Sequence, residues 1–196
     1  ERTIVDVLNK VQGVSLINDL KKEIVIVNDC STDSSESIIM NYISNSNENN
    51  IQYYSFDKNM GKGAAIRKAI TKAKGDYIVV QDADLEYDPN EYNILLKPIL
   101  DNFADVVYGS RFMGGNPHRV LFFWHTIGNN FLTFLSNIFT DLNLTDMETC
   151  YKMFDAKILK NIDLKENRFG FEPEVTAKIS RVKKIRIYEV GISYYG

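Results

Sequence analysis

The sequence predicts an α/β fold: a mostly parallel, doubly wound sheet flanked by helices. Three observations predict it. Short β-branched apolar runs alternate with segments of helical periodicity along the front half, as buried parallel strands and their crossover helices do. Three polar motifs, Asn28-Asp29, Asp57-Lys58-Asn59 and Asp82-Ala83-Asp84, each directly follow such a run, and open parallel sheets bind ligands at the carboxyl ends of their strands. A length of 196 residues, 44% hydrophobic and 25% charged, suits one globular domain with a substantial core.

The elements follow in order. Residues 3–12 place Ile4, Val7, Leu8 and Val11 on one helical stripe. Ile24 to Val27 reads as a buried strand, after which Asp33 can cap a helix with Glu36 at the capping-box position. Ile51 to Phe56 is a second strand. Gly63 to Lys74 is a helix burying Ala65, Ile66, Ala69 and Ile70, and Tyr77 to Gln81 is a third strand ending at an acidic cluster. Residues 91–102 are helical despite Pro98, and Asp105 to Tyr108 form a fourth strand. In the second half, residues 120–139 form an amphipathic helix with Trp124, Ile127, Phe131, Leu135 and Ile138 on one stripe, away from His125, Asn129, Thr133 and Ser136. Pro173 suits the first turn of a last helix carrying Val175, Ile179 and Val182, and Ile185 to Val190 alternates like a strand. Asn45 to Asn50 is a polar loop. No internal repeat, signal peptide or run of 18 apolar residues is present.

Charge and cysteine usage exclude some classes. A net charge of −3 argues against a nucleic-acid binder. Cys30 and Cys150 are too few for a disulfide framework and too far apart for a metal knuckle, which points to a reducing compartment. From Asp82 to Asp105 there are seven acids and one base, Lys97, whereas the 35 residues from Val106 to Thr140 hold no acid but include Arg111, Arg119, both histidines and the only tryptophan.

The acidic cluster carries the first chemistry. With 15 aspartates, chance alone supplies about one Asp-x-Asp triplet, so a solvated turn is the competing reading. Its position after a buried strand and its extension by Glu86 and Asp88 favour a site for a hard cation, Mg²⁺ or Mn²⁺, that also bridges a diphosphate. Asp29 can accept hydrogen bonds from a base or ribose, or merely shape a turn. Asn59-Met60-Gly61-Lys62-Gly63 opens a helix, where an anion is favoured; an ordinary cap with close packing is the plainer reading. Arg111 and Arg119 are suited to gripping a phosphate. The aromatic helix that follows can rest in a lipid interface, with burial in the core as the alternative.

Together these segments resemble glycosyltransferase family 2, of the GT-A fold, in its dolichol-phosphate mannosyltransferase and polyprenyl-phosphate glycosyltransferase branch. The carrying segments are residues 24–33, 59–63, 75–86 (GDYIVVQDADLE), 109–112, 143–147 and 168–174, in the family's order across nearly the whole chain. The resemblance implies an inverting, metal-dependent hexosyltransferase. It moves sugar from a UDP- or GDP-sugar to a polyprenyl phosphate, as a peripheral protein on the cytoplasmic face of a membrane. It implies Asp82, Asp84 and Glu86 as metal ligands, and Glu1, Asn28, Asp29, Lys62, Asp82 and Ala83 around the nucleotide. Arg111 and Arg119 fall on the acceptor phosphate, and Asp82, Asp84 and Arg111 form the catalytic set. Residues 1–108 are then a nucleotide-sugar half and residues 109–196 an acceptor half of one domain.

Two departures stand out. The family's first strand, with its Pro-x-Tyr/Phe-Asn-Glu end, is expected to precede Glu1, and further basic residues to follow Gly196. The family's Asp-Asp-Gly-Ser reads Asn28-Asp29-Cys30-Ser31, which suggests a turn with no positive φ. Other functions to weigh are transfer to a polysaccharide or protein hydroxyl, which needs a general base not evident here, a sugar nucleotidyltransferase, and an inactive nucleotide-sugar-binding module.

Overall fold

The computed structural model describes residues 1–46, 49–114, 119–120 and 122–196. His118, Pro117 and part of the 45–50 loop lie outside the described residues. The elements run α1 (Ile4–Gly13), β1 (Ile24–Asn28), α2 (Ser35–Asn45), β2 (Ile51–Ser55), α3 (Lys62–Lys72), β3 (Tyr77–Val79), α4 (Tyr92–Leu100), β4 (Val106–Ser110), α5 (Phe123–Thr140), β5 (Lys152–Asp155), α6 (Ala156–Lys160), α7 (Phe171–Ile179) and β6 (Ile187–Gly191).

The α/β class stands. β1 pairs with β2 in parallel, Ile24 opposite Ile51, and β4 pairs with β6 in parallel, Val106 opposite Ile187. The four-stranded sheet has the order β3-β5-β4-β6. Strand β5, which the sequence pattern leaves unassigned, runs antiparallel between β3 and β4. It is only four residues long and begins with a lysine, so neither alternation nor an apolar run announces it.

Alternation along the central strands divides the core into two faces. Val107 and Met153 join Val7, Leu95 and Ile99 of α1 and α4 on one side. Val106, Tyr108 and Phe154 join Ile66, Ile70, Val175 and Ile179 of α3 and α7 on the other. Helices on both faces bury β4 throughout and nearly all of β5. Pro98 is tolerated in α4 because it lies in the last turn; its carbonyl accepts from Phe103 and Ala104 N–H.

Helix α5 is turned inside out. Of its 18 residues only Thr133 is buried, while Trp124 is 76% and Phe139 81% exposed. Its polar stripe faces the protein: Met147 N–H donates to Thr133 Oγ1, and Asn137 exchanges two hydrogen bonds with the backbone of Leu144. Asn129 Oδ1 accepts from Arg111. The aromatic stripe is therefore not a core face.

One local expectation fails. Cys30 sits in the left-handed region at φ 59°, so the turn after β1 does need a positive φ although no glycine supplies it. Asn28 Oδ1 accepts from Ser31 N–H and closes the turn around Cys30, and that closure overrides the side chain's preference. A non-glycine residue here costs about 1–2 kcal/mol. Cys30→Gly is thus expected to stabilise the fold by up to about 1 kcal/mol, part of the gain being lost to glycine's unfolded-state entropy. Cys30→Val is expected to cost at least about 1 kcal/mol. Urea denaturation curves check both; a glycine variant less stable than the parent would contradict the strain.

Candidate functional site

The candidate site lies where β1 and β3 end. Asp82 and Asp84 sit on the turn after β3, with Glu86 behind them. Burial pushes the Asp84 carboxyl above its ordinary value. The negative charges of Glu86 and Asp82 push the same way, against a hydrogen bond from Glu86 N–H. That N–H lies 3.1 Å from Asp84 Oδ1. Asp82 is neutralised: Lys62 Nζ stands 3.0 Å from its Oδ2 and 3.3 Å from Glu172 Oε1. Glu86 Oε2 accepts from Tyr194 OH at 2.8 Å. Ala83 presents its carbonyl to Thr3 Oγ1.

Asp82 and Asp84 offer the hard oxygen donors that Mg²⁺ or Mn²⁺ prefers, and the carboxylates already repel one another. Among the described residues no group of three acids forms a ready-made metal cage. With two carboxylates, a cation here would draw the rest of its shell from a diphosphate or water, as Mg²⁺ commonly does. Glu86, expected as a third ligand, has its carboxylate engaged by Tyr194.

The front loops do different work from that expected. Both Asp29 oxygens are taken by backbone: Oδ1 accepts from Met60 N–H at 2.6 Å and Oδ2 from Gly61 N–H at 2.8 Å. Asp29 thus holds the glycine loop instead of its own following turn. Asn28 is buried, donating to Tyr53 OH at 3.0 Å. Glu1 accepts from Ser34 N–H at the start of α2, and Asp33 accepts from Ser35 N–H, one position before the cap residue Ser34.

The N-terminus of α3 is not an open anion site. Gly63 N–H donates to Arg168 O and Ala64 N–H to Asn167 O. A Cβ on Gly61 would lie 2.4 Å from Asn167 O, and one on Gly63 2.4 Å from Glu166 O. The glycines let the 166–168 backbone lie against the helix start, so the plainer reading of close packing holds. The group of this loop that reaches the acidic turn is the Lys62 side chain.

On the other side, Arg111 forms a two-pronged pair with Asp146, Nε to Oδ2 and Nη2 to Oδ1, each at 2.7 Å. Asp146 is fully buried and Arg111 nearly so. Its guanidinium also lies 5.3 Å from the Tyr194 ring centre. Arg111 is thus largely spent on internal partners, unlike the free phosphate clamp its position suggested. Arg119 is exposed, with its backbone N–H on Tyr194 O at 2.7 Å. Tyr194 joins the two sides, its hydroxyl on Glu86 and its ring over Arg111.

Glu172, Asp146 and Tyr194 escaped sequence reasoning as individual residues. Asp146 and Glu172 stand inside the 143–147 and 168–174 segments, but nothing local tells a buried partner from a surface acid. Lys152 was also missed. It is fully buried, donates to Thr149 O and lies 5.1 Å from the Tyr108 ring centre; burial pushes its pKa down. Cys150 and Cys30 are both free thiols.

The glycosyl transferase family 2 profile matches residues 1–163. A dolichyl-phosphate beta-glucosyltransferase of Dictyostelium discoideum is 27% identical over 184 residues, which cover 88% of this chain and 54% of that protein. A dodecaprenyl-phosphate galacturonate synthase of Rhizobium johnstonii is 23% identical over 203 residues, 100% of this chain and 59% of that one. The chain spans little more than half the length of such relatives. Among solved structures, glucosyl-3-phosphoglycerate synthase of Mycobacterium tuberculosis in complex with UDP superposes with a TM-score of 0.74 at 17% identity, covering 100% of this chain and 67% of that one. A mannosyltransferase of Pyrobaculum calidifontis in complex with GDP-Man and Mn²⁺ gives 0.68 at 17% identity, covering 98% and 52%. These likenesses share the GT-A fold. By the profile match over most of its length, the chain belongs to glycosyl transferase family 2.

Proposed function

We propose that the protein transfers a hexose, with inversion, from a nucleoside-diphosphate sugar to a polyprenyl phosphate at the cytoplasmic surface of a membrane. The observation that carries the lipid acceptor is α5. Its apolar face points outward and its polar face is hydrogen-bonded to the protein, the reverse of a core helix. Between Val120 and Thr140 there is no charged residue. No helix among the described residues is long and apolar enough to cross a membrane, and a surface helix of this kind is suited to lie in the headgroup layer. The named relatives that act on dolichyl and dodecaprenyl phosphates support the same reading.

The division of labour follows from charge. Asp82 and Asp84 would hold a divalent cation, which offsets the charge that grows on the departing nucleoside diphosphate. Residues 1–108 supply the donor side and residues 109–196 the acceptor side, with Glu172 reaching back to Lys62. Asp29 acts on the nucleotide by fixing the Met60–Gly61 loop. On the acceptor side Arg119 is the exposed cation for an incoming phosphate, and Arg111, braced by Asp146, forms the floor under Tyr194. A phosphate monoester has a second pKa of about 6, so it is mostly dianionic at neutral pH and needs no general base. One of its oxygens forms the bond to the anomeric carbon as the bond from that carbon to the diphosphate oxygen breaks. The nucleoside diphosphate leaves from the opposite face.

The test is a panel of UDP- and GDP-sugars with Mn²⁺, with and without a polyprenyl phosphate, using the full-length protein. Lipid-linked sugar is expected from one donor, and Asp84→Ala is expected to lower turnover by at least about 100-fold. Retained transfer in that variant would contradict the role of Asp84. Transfer only to a polysaccharide or peptide hydroxyl, or pyrophosphate release from a nucleoside triphosphate, would replace the proposal. Separately, Phe131→Ser combined with Phe139→Ser is expected to weaken co-sedimentation with anionic lipid vesicles on the order of tenfold. Unchanged sedimentation would remove α5 from the interface.

A further inference from the structure

Lys62 already occupies one carboxylate oxygen of Asp82, the residue expected to hold a cation. Its Nζ is 3.0 Å from Asp82 Oδ2 and 3.3 Å from Glu172 Oε1, and the two contacts differ in setting. The Glu172 side chain is 8% exposed and the Asp82 side chain 27%. An ammonium that left Glu172 would strand a carboxylate away from water, at a high cost. One that left Asp82 would open that carboxylate to solvent and to an arriving ion. The backbone cannot follow such a movement, because the start of α3 is tied to the 166–168 segment at Gly63 and Ala64. Only the flexible four-carbon stem of Lys62 can swing, pivoting about its buried partner.

We propose that Lys62 is the resident counter-ion of Asp82, which a divalent cation must displace, and that Glu172 is a positioning residue that keeps the displaced ammonium beside the donor diphosphate. The proposal rests on Asp82 being a cation ligand. It has a consequence for binding order. With cation alone, Asp82 exchanges one positive partner for another and little is gained. With a diphosphate present, the displaced ammonium finds a second anion, so cation and nucleotide bind with positive coupling, each helping the other by the same factor.

Mn²⁺ binding read from the electron paramagnetic resonance signal of the free ion tests this without acceptor or sugar transfer. With the full-length protein, Mn²⁺ is expected to bind weakly alone and more tightly with UDP or GDP. Lys62→Met is expected to bind Mn²⁺ alone on the order of tenfold more tightly than the parent and to lose most of the nucleotide-dependent gain. Because that variant leaves Glu172 unpaired, Lys62→Met with Glu172→Gln is measured beside it, and thermal melting verifies that each is folded. Mn²⁺ affinity no higher than the parent's in both folded variants would overturn the proposal. Failure of the parent to bind Mn²⁺ even with UDP and GDP would instead overturn Asp82 as a cation ligand, and the proposal with it.

Discussion

The ammonium of Lys62 is the contact on which the candidate site depends. It ties the turn after β3, through Asp82, to the first turn of α7, through Glu172. Burial first, and then the negative charges of Glu86 and Asp82, push the Asp84 carboxyl up, and positive charge beside such acids offsets that cost. Lys62 supplies that charge. Across Tyr194, Arg111 and Asp146 compensate each other in a largely buried two-pronged pair. The floor of the site is thus built from neutralised charge, with Tyr194 spanning the two assemblies.

Backbone packing decides where Lys62 can be. Asp29 clamps Met60 and Gly61 from one side, and the 166–168 carbonyls meet Gly63 and Ala64 from the other. Any side chain at 61 or 63 would collide with these carbonyls. Both glycines therefore let a second-half segment reach the loop that carries the lysine. The 166–168 segment is held in turn by Glu174, whose carboxylate accepts from Lys165 and Glu166 N–H. A strand end, a helix start and a late loop thereby form one rigid seat.

Much of this was legible in the sequence, for reasons that differ by element. β1 and β4 were readable because strands of a parallel sheet leave short apolar runs, and β2 because its Ile and Tyr residues favour a strand. The Asp82–Asp84 turn was found because it follows such a run. β5 was not readable: it is short, starts with the buried Lys152, and takes its place through partners on both sides. The stripe on α5 was visible, but which way it faces is a tertiary fact, settled by Asn129, Thr133 and Asn137 bonding inward. Arg111 was recognised as important, yet its commitment to Asp146 depends on a residue 35 positions away. The Cys30 turn misled because a side-chain-closed turn can impose a positive φ on a residue that disfavours it. Local pattern reveals strands and candidate ligands; it does not reveal which charges are already paired.

Helix α5 gives the protein an exposed apolar surface, and the turn after β3 carries the carboxylates that Lys62 and Tyr194 engage. On the proposed function, those carboxylates seat a divalent cation against a nucleoside diphosphate. Anomalous diffraction from crystals grown with Mn²⁺ and UDP or GDP tests it most directly. The expected result is a single strong peak in contact with the Asp82 and Asp84 carboxylates and the diphosphate, with Lys62 withdrawn toward Glu172. A peak elsewhere, or a bound nucleotide with Lys62 still on Asp82 and no metal between them, would contradict it.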